Sequence, residues 1–250
     1  MRVQRLLQRA LGLFGVALAP VGAVEASQRD REILAAVRPY TMTSPERVWA
    51  LINALQYLHV NAIPGDVCEC GVWRGGSSMA AALKLSALGG QRGLWLYDTF
   101  AGMVEPGALD RSARDGKPAL QVWRSQRRSE VENAWCLASL DDVRKNLAST
   151  NYPAGLIKYV PGKVEETLRV TSNLPSRIAL LRLDTDWYES TRVELETLYD
   201  RLSPGGVLII DDYGHWEGAR RAVDEFFAAQ PRKMLLNRID YTGRIGIKPL

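Results

Sequence analysis

Two histidines and three cysteines are few soft ligands for a chain of 250 residues. With no C-x-x-C spacing and no paired cysteine framework, a structural zinc site and a disulfide-stapled fold are both argued against. Cys68 and Cys70 stand two apart in a short apolar stretch and so face the same side of an expected buried strand. The cysteines read as core thiols of a reducing compartment. An excess of one charge sign is lacking too: 32 basic and 28 acidic residues are interspersed, with only a modest cluster at Arg124, Arg127 and Arg128. That is the pattern of a solvated surface, and no nucleic-acid partner is expected. There is no uninterrupted apolar run of membrane-spanning length, no internal repeat and no low-complexity tract. What is present is 46% hydrophobic and 24% charged, ordinary globular composition, in a chain long enough to bury the core of one α/β domain with additions.

The first residues are less ordinary. Leu6, Leu7, Ala10, Leu13, Phe14, Ala17, Leu18 and Val21 follow helical spacing, with Arg2, Arg5, Gln8 and Arg9 at a basic, polar end. A signal peptide is disfavoured, because Gln8 and Arg9 cut into the apolar stretch and Pro20 follows the Ala17-x-Ala19 pair. Two readings stay open: a helix lying on an anionic membrane surface through residues 1–24, or a helix for packing or homo-oligomer formation. The expected organisation is an N-terminal arm over residues 1–38 and a single domain over 39–250, in a cytoplasmic protein with peripheral contact at the inner membrane surface as the further option.

The stretch Glu69-Cys-Gly-Val-Trp-Arg-Gly-Gly-Ser-Ser78 organises the rest. It reads as the end of a buried strand turning through glycines into a helix, the context that gives a glycine-rich loop its weight as a cofactor site. A second strand, Gly93 to Thr99, carries Asp98 near its end, where an acid accepts hydrogen bonds from ribose hydroxyls in nucleotide-binding βαβ units. Further strands are expected over Leu156 to Val160, Ile178 to Asp184 and Gly206 to Asp212, with helices between them and a helix over Glu217 to Ala229. Ser203-Pro-Gly-Gly is expected to close the preceding helix. Alternation of strand and helix predicts a parallel sheet, and Met234 to Ile239 with Tyr241 to Ile247 reads as an antiparallel pair around Asp240. Between about 101 and 139 the pattern lapses into Gly, Pro, Arg and scattered tryptophans, which suggests a lid.

In a parallel sheet, ligands gather at the carboxyl ends of the strands. Asp184, Asp211 and Asp212 converge there, and close carboxylates need a proton or a cation between them. Hard oxygen ligands favour Mg²⁺, with Mn²⁺ or Ca²⁺ as variants. The glycine spacing, Gly71 then Gly75 and Gly76, is wrong for the G-x-G-x-x-G of a dinucleotide site. It suits a loop around the methionine part of S-adenosylmethionine, with Glu69, Gly71, Gly75, Gly76 and Ser77 on the donor and Asp98 on its ribose. The proton acceptor is left open between Asp184 and His215, and Tyr188, Tyr213 and Trp216 are candidates for a sugar platform.

Four segments in order, Glu69 to Ser77, Tyr97-Asp-Thr-Phe-Ala-Gly102, Leu183-Asp-Thr-Asp-Trp-Tyr-Glu-Ser-Thr191, and Leu202-Ser-Pro-Gly-Gly with Ile209-Ile-Asp-Asp-Tyr213, resemble the macrocin O-methyltransferase family. The resemblance runs from about Met42 to Ile247. It implies a Rossmann-like class I methyltransferase fold with a seven-stranded sheet, metal-dependent methylation of a sugar hydroxyl on a small-molecule or glycoconjugate acceptor, and Asp184, Asp211 and Asp212 as metal ligands. The arm up to about Arg38 carries no comparable motif, and the segment 101–139 matches only loosely. A catechol-type acceptor, an NAD-dependent oxidoreductase and a non-catalytic binding module are the competing readings.

Overall fold

The structure, a computed structural model, describes residues 25–250; the amphipathic pattern of residues 1–24 lies outside the described residues. Helix α1 (Gln28–Val37) opens on Ser27, whose hydroxyl accepts from the Asp30 amide. Its Ile33 and Val37 join the main hydrophobic cluster, and its Asp30 pairs with buried Lys84 at 2.8 Å. The boundary expected at residue 38 therefore falls inside the packed body. Helix α2 (Pro45–Val60) begins as its sequence demands, with Ser44 accepting from the Arg47 amide and proline in the first turn. Its buried stripe, Val48, Leu51, Ile52, Leu55 and Leu58, lies in the same cluster.

Strand β1 (Asp66–Cys70) leads through the glycine loop into α3 (Gly76–Ala87). The run Ala80, Ala81, Ala82 on α3 is almost wholly buried, and small side chains there let α1 and α2 pack closely over it. Then come β2 (Leu94–Asp98), α4 (Ala119–Gln126), α5 (Leu140–Ala148), β3 (Ile157–Pro161), the single turn α6 (Val164–Thr167), β4 (Ile178–Leu183), α7 (Tyr188–Leu198), β5 (Leu202–Ile210), α8 (Glu217–Ala229), β6 (Asn237–Arg238) and β7 (Arg244–Ile247). The sheet has seven strands in the order β3-β2-β1-β4-β5-β7-β6. β1 to β5 run parallel, and β7 is antiparallel to both its neighbours.

Ser203-Pro-Gly-Gly206 is not the helix stop that its composition suggests. It lies within β5, where Ile178 pairs with Leu202 but Leu180 pairs with Val207. The extra residues form a bulge, and Gly205 takes φ +77° there, a left-handed conformation that glycine adopts without strain. The order of the strands reverses between β1 and β4, so the carboxyl ends of those two strands splay helices apart and leave a crevice. Asp98 ends β2, and Asp184, Asp211 and Asp212 follow the ends of β4 and β5 along that same edge.

Candidate active site

A cavity of about 490 Å³ occupies the crevice. One wall is the β1 loop, with Glu69, Gly71, Ser77 and Asp98; the opposite wall holds Asp184, Asp186, Asp211, Asp212 and His215. Both halves of the expected site thus share one chamber. Gly75 and Gly76 are not part of its lining. Gly75 has φ +87° and caps α3, while a side chain on Gly76 would strike Thr41 and the Tyr40 carbonyl at 2.6 Å. These two glycines shape the turn and let the segment before α2 pack against it. Gly71 does line the cavity, and at φ +83° it abuts the Asp184 carbonyl so closely that no Cβ fits.

The loop is held from beneath by Asp98. One of its carboxylate oxygens accepts from the amides of Val72 at 2.7 Å and Trp73 at 3.0 Å, and the other accepts from the Phe100 amide at 2.7 Å. Burial raises its pKa and these three amides oppose the rise. The carboxylate expected to meet a ribose thus also braces the loop, and with two amides on one oxygen and one on the other it keeps an acceptor site towards the cavity it lines. Glu69 is also engaged. It accepts from Arg182 at 2.8 Å and from the Ser78 hydroxyl.

Arg182, on β4, is 3% exposed and joins the two walls. Nη1 donates to Glu69 at 2.8 Å and to Asp184 at 2.7 Å; Nη2 donates to Thr43 at 2.8 Å and to Asp211 at 2.6 Å. Burial works against its charge, but Asp184, Asp211 and Glu69 outweigh it and raise its pKa. The second oxygen of Asp211 accepts from Arg47, whose Nε also reaches Asp240 at 3.0 Å. Asp211 is therefore clamped between two arginines, and it lines the cavity beside Asp184, whose pKa its charge raises.

The carboxylates that do cluster are Asp184, Asp186 and Asp212, each offering an oxygen within 4.8 Å of the others. Burial raises Asp184 and Asp212 well above the usual carboxylate range, and the neighbouring acids add to it. Asp186 is pushed up to about 7, by burial first and then by the charges of Asp184 and Asp211. Its backbone sits at φ +73°, a strained conformation for an aspartate and one that concentrates at functional sites. Asp186 lies beyond the strand end and so outside the strand-end pattern; its signal in the sequence is the spacing Asp184-x-Asp186, which brings a second acid into the same turn.

His215 lines the cavity, with Nδ1 3.3 Å from the Tyr241 hydroxyl and its ring edge-on to Trp216. Burial lowers its pKa. Of the three aromatics considered for a platform, Trp216 alone lines the cavity. Tyr188 points to Glu225 and Tyr213 to Asp224. Trp135, from the segment 101–139, completes the aromatic wall: Trp135, Trp187 and Trp216 meet edge to face at 5.0 to 6.0 Å between ring centres. That segment is packed over the cavity, with Trp123 donating to the Met103 carbonyl at 2.8 Å and Trp187 to the Val104 carbonyl at 3.1 Å. Cys136, beside Trp135, also lines the cavity, so only Cys68 and Cys70 are core thiols.

A doubly wound, seven-stranded sheet with an antiparallel last strand and a ligand cavity at its switch point defines the Rossmann-like class I methyltransferases, and the structural neighbours share that fold. Within that class the chain belongs to the macrocin-O-methyltransferase (TylF) family, whose profile matches residues 3–245. The match takes in part of the arm, for which the motifs alone gave no correspondence. The chain is 36% identical over 205 residues, 82% of its length and 74% of the relative's, to the 8-demethyl-8-(2,3-dimethoxy-alpha-L-rhamnosyl)-tetracenomycin-C 4'-O-methyltransferase of Streptomyces olivaceus. It is 34% identical over 190 residues, 76% of its length and 68% of the relative's, to the demethyldecarbamoylnovobiocin O-methyltransferase of Streptomyces niveus. Among solved structures, that of the O-methyltransferase NovP superposes with a TM-score of 0.74 at 28% identity, over 92% of this chain and 91% of that one. The protein is an S-adenosylmethionine-dependent O-methyltransferase; an oxidoreductase and a non-catalytic module are set aside. None of its described helices is long and apolar enough to cross a membrane.

Proposed function

We propose that the protein methylates a sugar hydroxyl on a small-molecule or larger glycosylated acceptor, with a divalent cation, Mg²⁺ in the first instance, at the carboxylate cluster. The observation that carries this reading is the convergence of Asp184, Asp186 and Asp212 within 4.8 Å at the end of the donor cavity. The relatives' names support the acceptor class, since that of the Streptomyces olivaceus enzyme specifies a rhamnosyl acceptor. The donor set fits a hard cation: three oxygen ligands, each destabilised as a lone carboxylate, with no sulfur or imidazole in the group. Asp184 and Asp212 belong both to the sequence pattern and to this cluster, and Asp211, bonded once on each oxygen to an arginine, keeps lone pairs beside it.

When bound, the cation lowers the pKa of a hydroxyl that touches it, and S-adenosylmethionine brings a methyl group on a positive sulfur. The chain's own residues do the rest. The acidic wall draws the positive donor and the cation to one end of the cavity. Trp135 and Trp216 offer flat apolar faces to a sugar ring, and their packing with Trp187 keeps water from that end. The acceptor oxygen forms the new C–O bond as the C–S bond breaks, and its proton passes to a carboxylate oxygen. We assign that oxygen to Asp186. Asp184 is bonded to Arg182, and His215 faces Tyr241, whereas Asp186 lies in the cluster with no arginine or lysine among the ion pairs of the described residues.

The test is methyl transfer from labelled S-adenosylmethionine to a panel of glycosides and aromatic diols, with and without EDTA. Full turnover in excess EDTA overturns the cation, and turnover confined to aromatic diols overturns the sugar. On the same panel Asp186→Asn lowers kcat by about 10³-fold and His215→Phe by less than about tenfold; the reverse ranking moves the base to His215. For residues 1–24, the basic end and apolar face support contact with an anionic membrane surface. Deleting them then lowers partitioning onto anionic liposomes, and unchanged partitioning with a smaller sedimenting species assigns them to self-association instead.

A further inference from the structure

Glu194 lies on α7, 0% exposed, and no arginine, lysine or histidine reaches it among the ion pairs of the described residues. Its Oε1 accepts from the Thr185 hydroxyl at 2.9 Å. Its Oε2 is buried with no hydrogen-bond partner, as is Oε2 of Glu165, the acid whose charge presses on it. Burying a carboxyl group this way costs free energy that a leucine in the same place would not. A fold gains nothing from it.

What the carboxyl does hold is the turn that bears the reacting acids. Thr185 stands between Asp184 and Asp186, and each part of this turn is fixed from a different side. The Asp184 amide donates to the Cys70 carbonyl at 2.8 Å, which ties the start of the turn to β1. The Thr185 carbonyl accepts from the Trp187 amide at 2.9 Å, which ties its end to the start of α7. Between these anchors the Thr185 side chain is fixed by its hydroxyl bond to Glu194, and Asp186 follows it at φ +73°, a backbone conformation that persists where its surroundings hold it.

We propose that Glu194 is a positioning residue for the methyl-transfer site, acting through the Thr185 hydroxyl to hold the Asp184–Asp186 turn in its reactive conformation. This rests on the reading of Asp184, Asp186 and Asp212 as the cation and proton-transfer site. Glu194 touches neither acceptor nor donor, and its neighbour Thr185 is the member of the pair that lines the cavity.

The test separates positioning from folding by their opposite signs. Glu194→Leu removes a buried polar group, so its Tm is equal to or above that of the parent, while kcat falls about tenfold or more and Mn²⁺ affinity, read by titration calorimetry on the methyl-acceptor-free protein, weakens by a similar factor. Thr185→Val reproduces both losses. The double variant is no worse than either single one, because each has already broken the same bond. Glu194→Gln, whose amide oxygen still accepts from Thr185, stays within about threefold of the parent in kcat and Mn²⁺ affinity. Parent-like kcat and Mn²⁺ binding in Glu194→Leu overturn the proposal, and so do losses that multiply in the double variant. Absence of Mn²⁺ binding by the parent protein overturns the cation reading itself, a result distinguishable from the first.

Discussion

The two walls of the cavity are built on opposite principles. On the donor wall almost every polar atom is already satisfied: Asp98 is bonded to three amides, Glu69 to Arg182 and Ser78, and Gly71 is wedged against β4. On the acid wall, Asp184, Asp186 and Asp212 crowd together with their pKa values raised. The first is rigid before anything binds. The second holds more negative charge than Arg182 alone offsets, which is what the proposed cation would balance. A wall made of backbone geometry fails through sterics, whereas a wall made of unbalanced charge fails through electrostatics, and the difference dictates where each is vulnerable.

The largest expected effect is on the acid wall. Asp184→Asn lowers kcat by about 10³-fold, in line with removal of one preorganised charge from a reacting centre, while affinity for S-adenosylhomocysteine, measured by calorimetry, changes by less than about threefold. A parallel loss of both would mean that the walls are not separate. Next comes the donor wall, where Gly71→Ala puts a methyl group into the Asp184 carbonyl at a left-handed φ. It costs about 3 kcal/mol or more of stability in denaturant unfolding, and unaltered stability would show that the loop is softer than its contacts suggest.

The smallest effect is a pH dependence confined to the acid wall. Asp186 has a folded pKa raised from 3.8 to about 7, so the folded state holds an extra proton between those values. Its contribution to stability is present below the unfolded pKa and is lost as pH rises through the folded one. The cation-free protein thus has a Tm that falls by several degrees between about pH 5 and 8, and Mg²⁺ raises Tm more at pH 8 than at pH 6. A cation-free Tm that rises across that window breaks the comparison.

Much of the donor wall was legible in the chain. A strand, a glycine turn and a helix are local events, and β1, α3 and β2 appear where periodicity and turn chemistry place them; α8 over Glu217–Ala229 agrees residue for residue. The acid wall was legible in its residue types but not in its pairing. Arg47 meets Asp211 across 164 residues of sequence, and no local pattern announces that a buried arginine on β4 will claim the same carboxylate. Asp186 escaped because a residue in a left-handed turn departs from strand alternation. The bulge at Ser203-Pro-Gly-Gly206 was hidden for the opposite reason, since its composition imitates a helix stop so well.

The latch around Asp211 carries a consequence for how the enzyme is made. Arg47 reaches it from one side and, with the Ser44 hydroxyl at 2.6 Å, also holds Asp240, while Thr242 donates to the Asp211 carbonyl from the other. Strands β1 to β5 can assemble as they leave the ribosome, but the cavity gains this fastening only once residue 242 has emerged. Completion of the cavity is then a late event in synthesis, since a nascent chain halted inside α8 has the five parallel strands but lacks both antiparallel strands and this fastening.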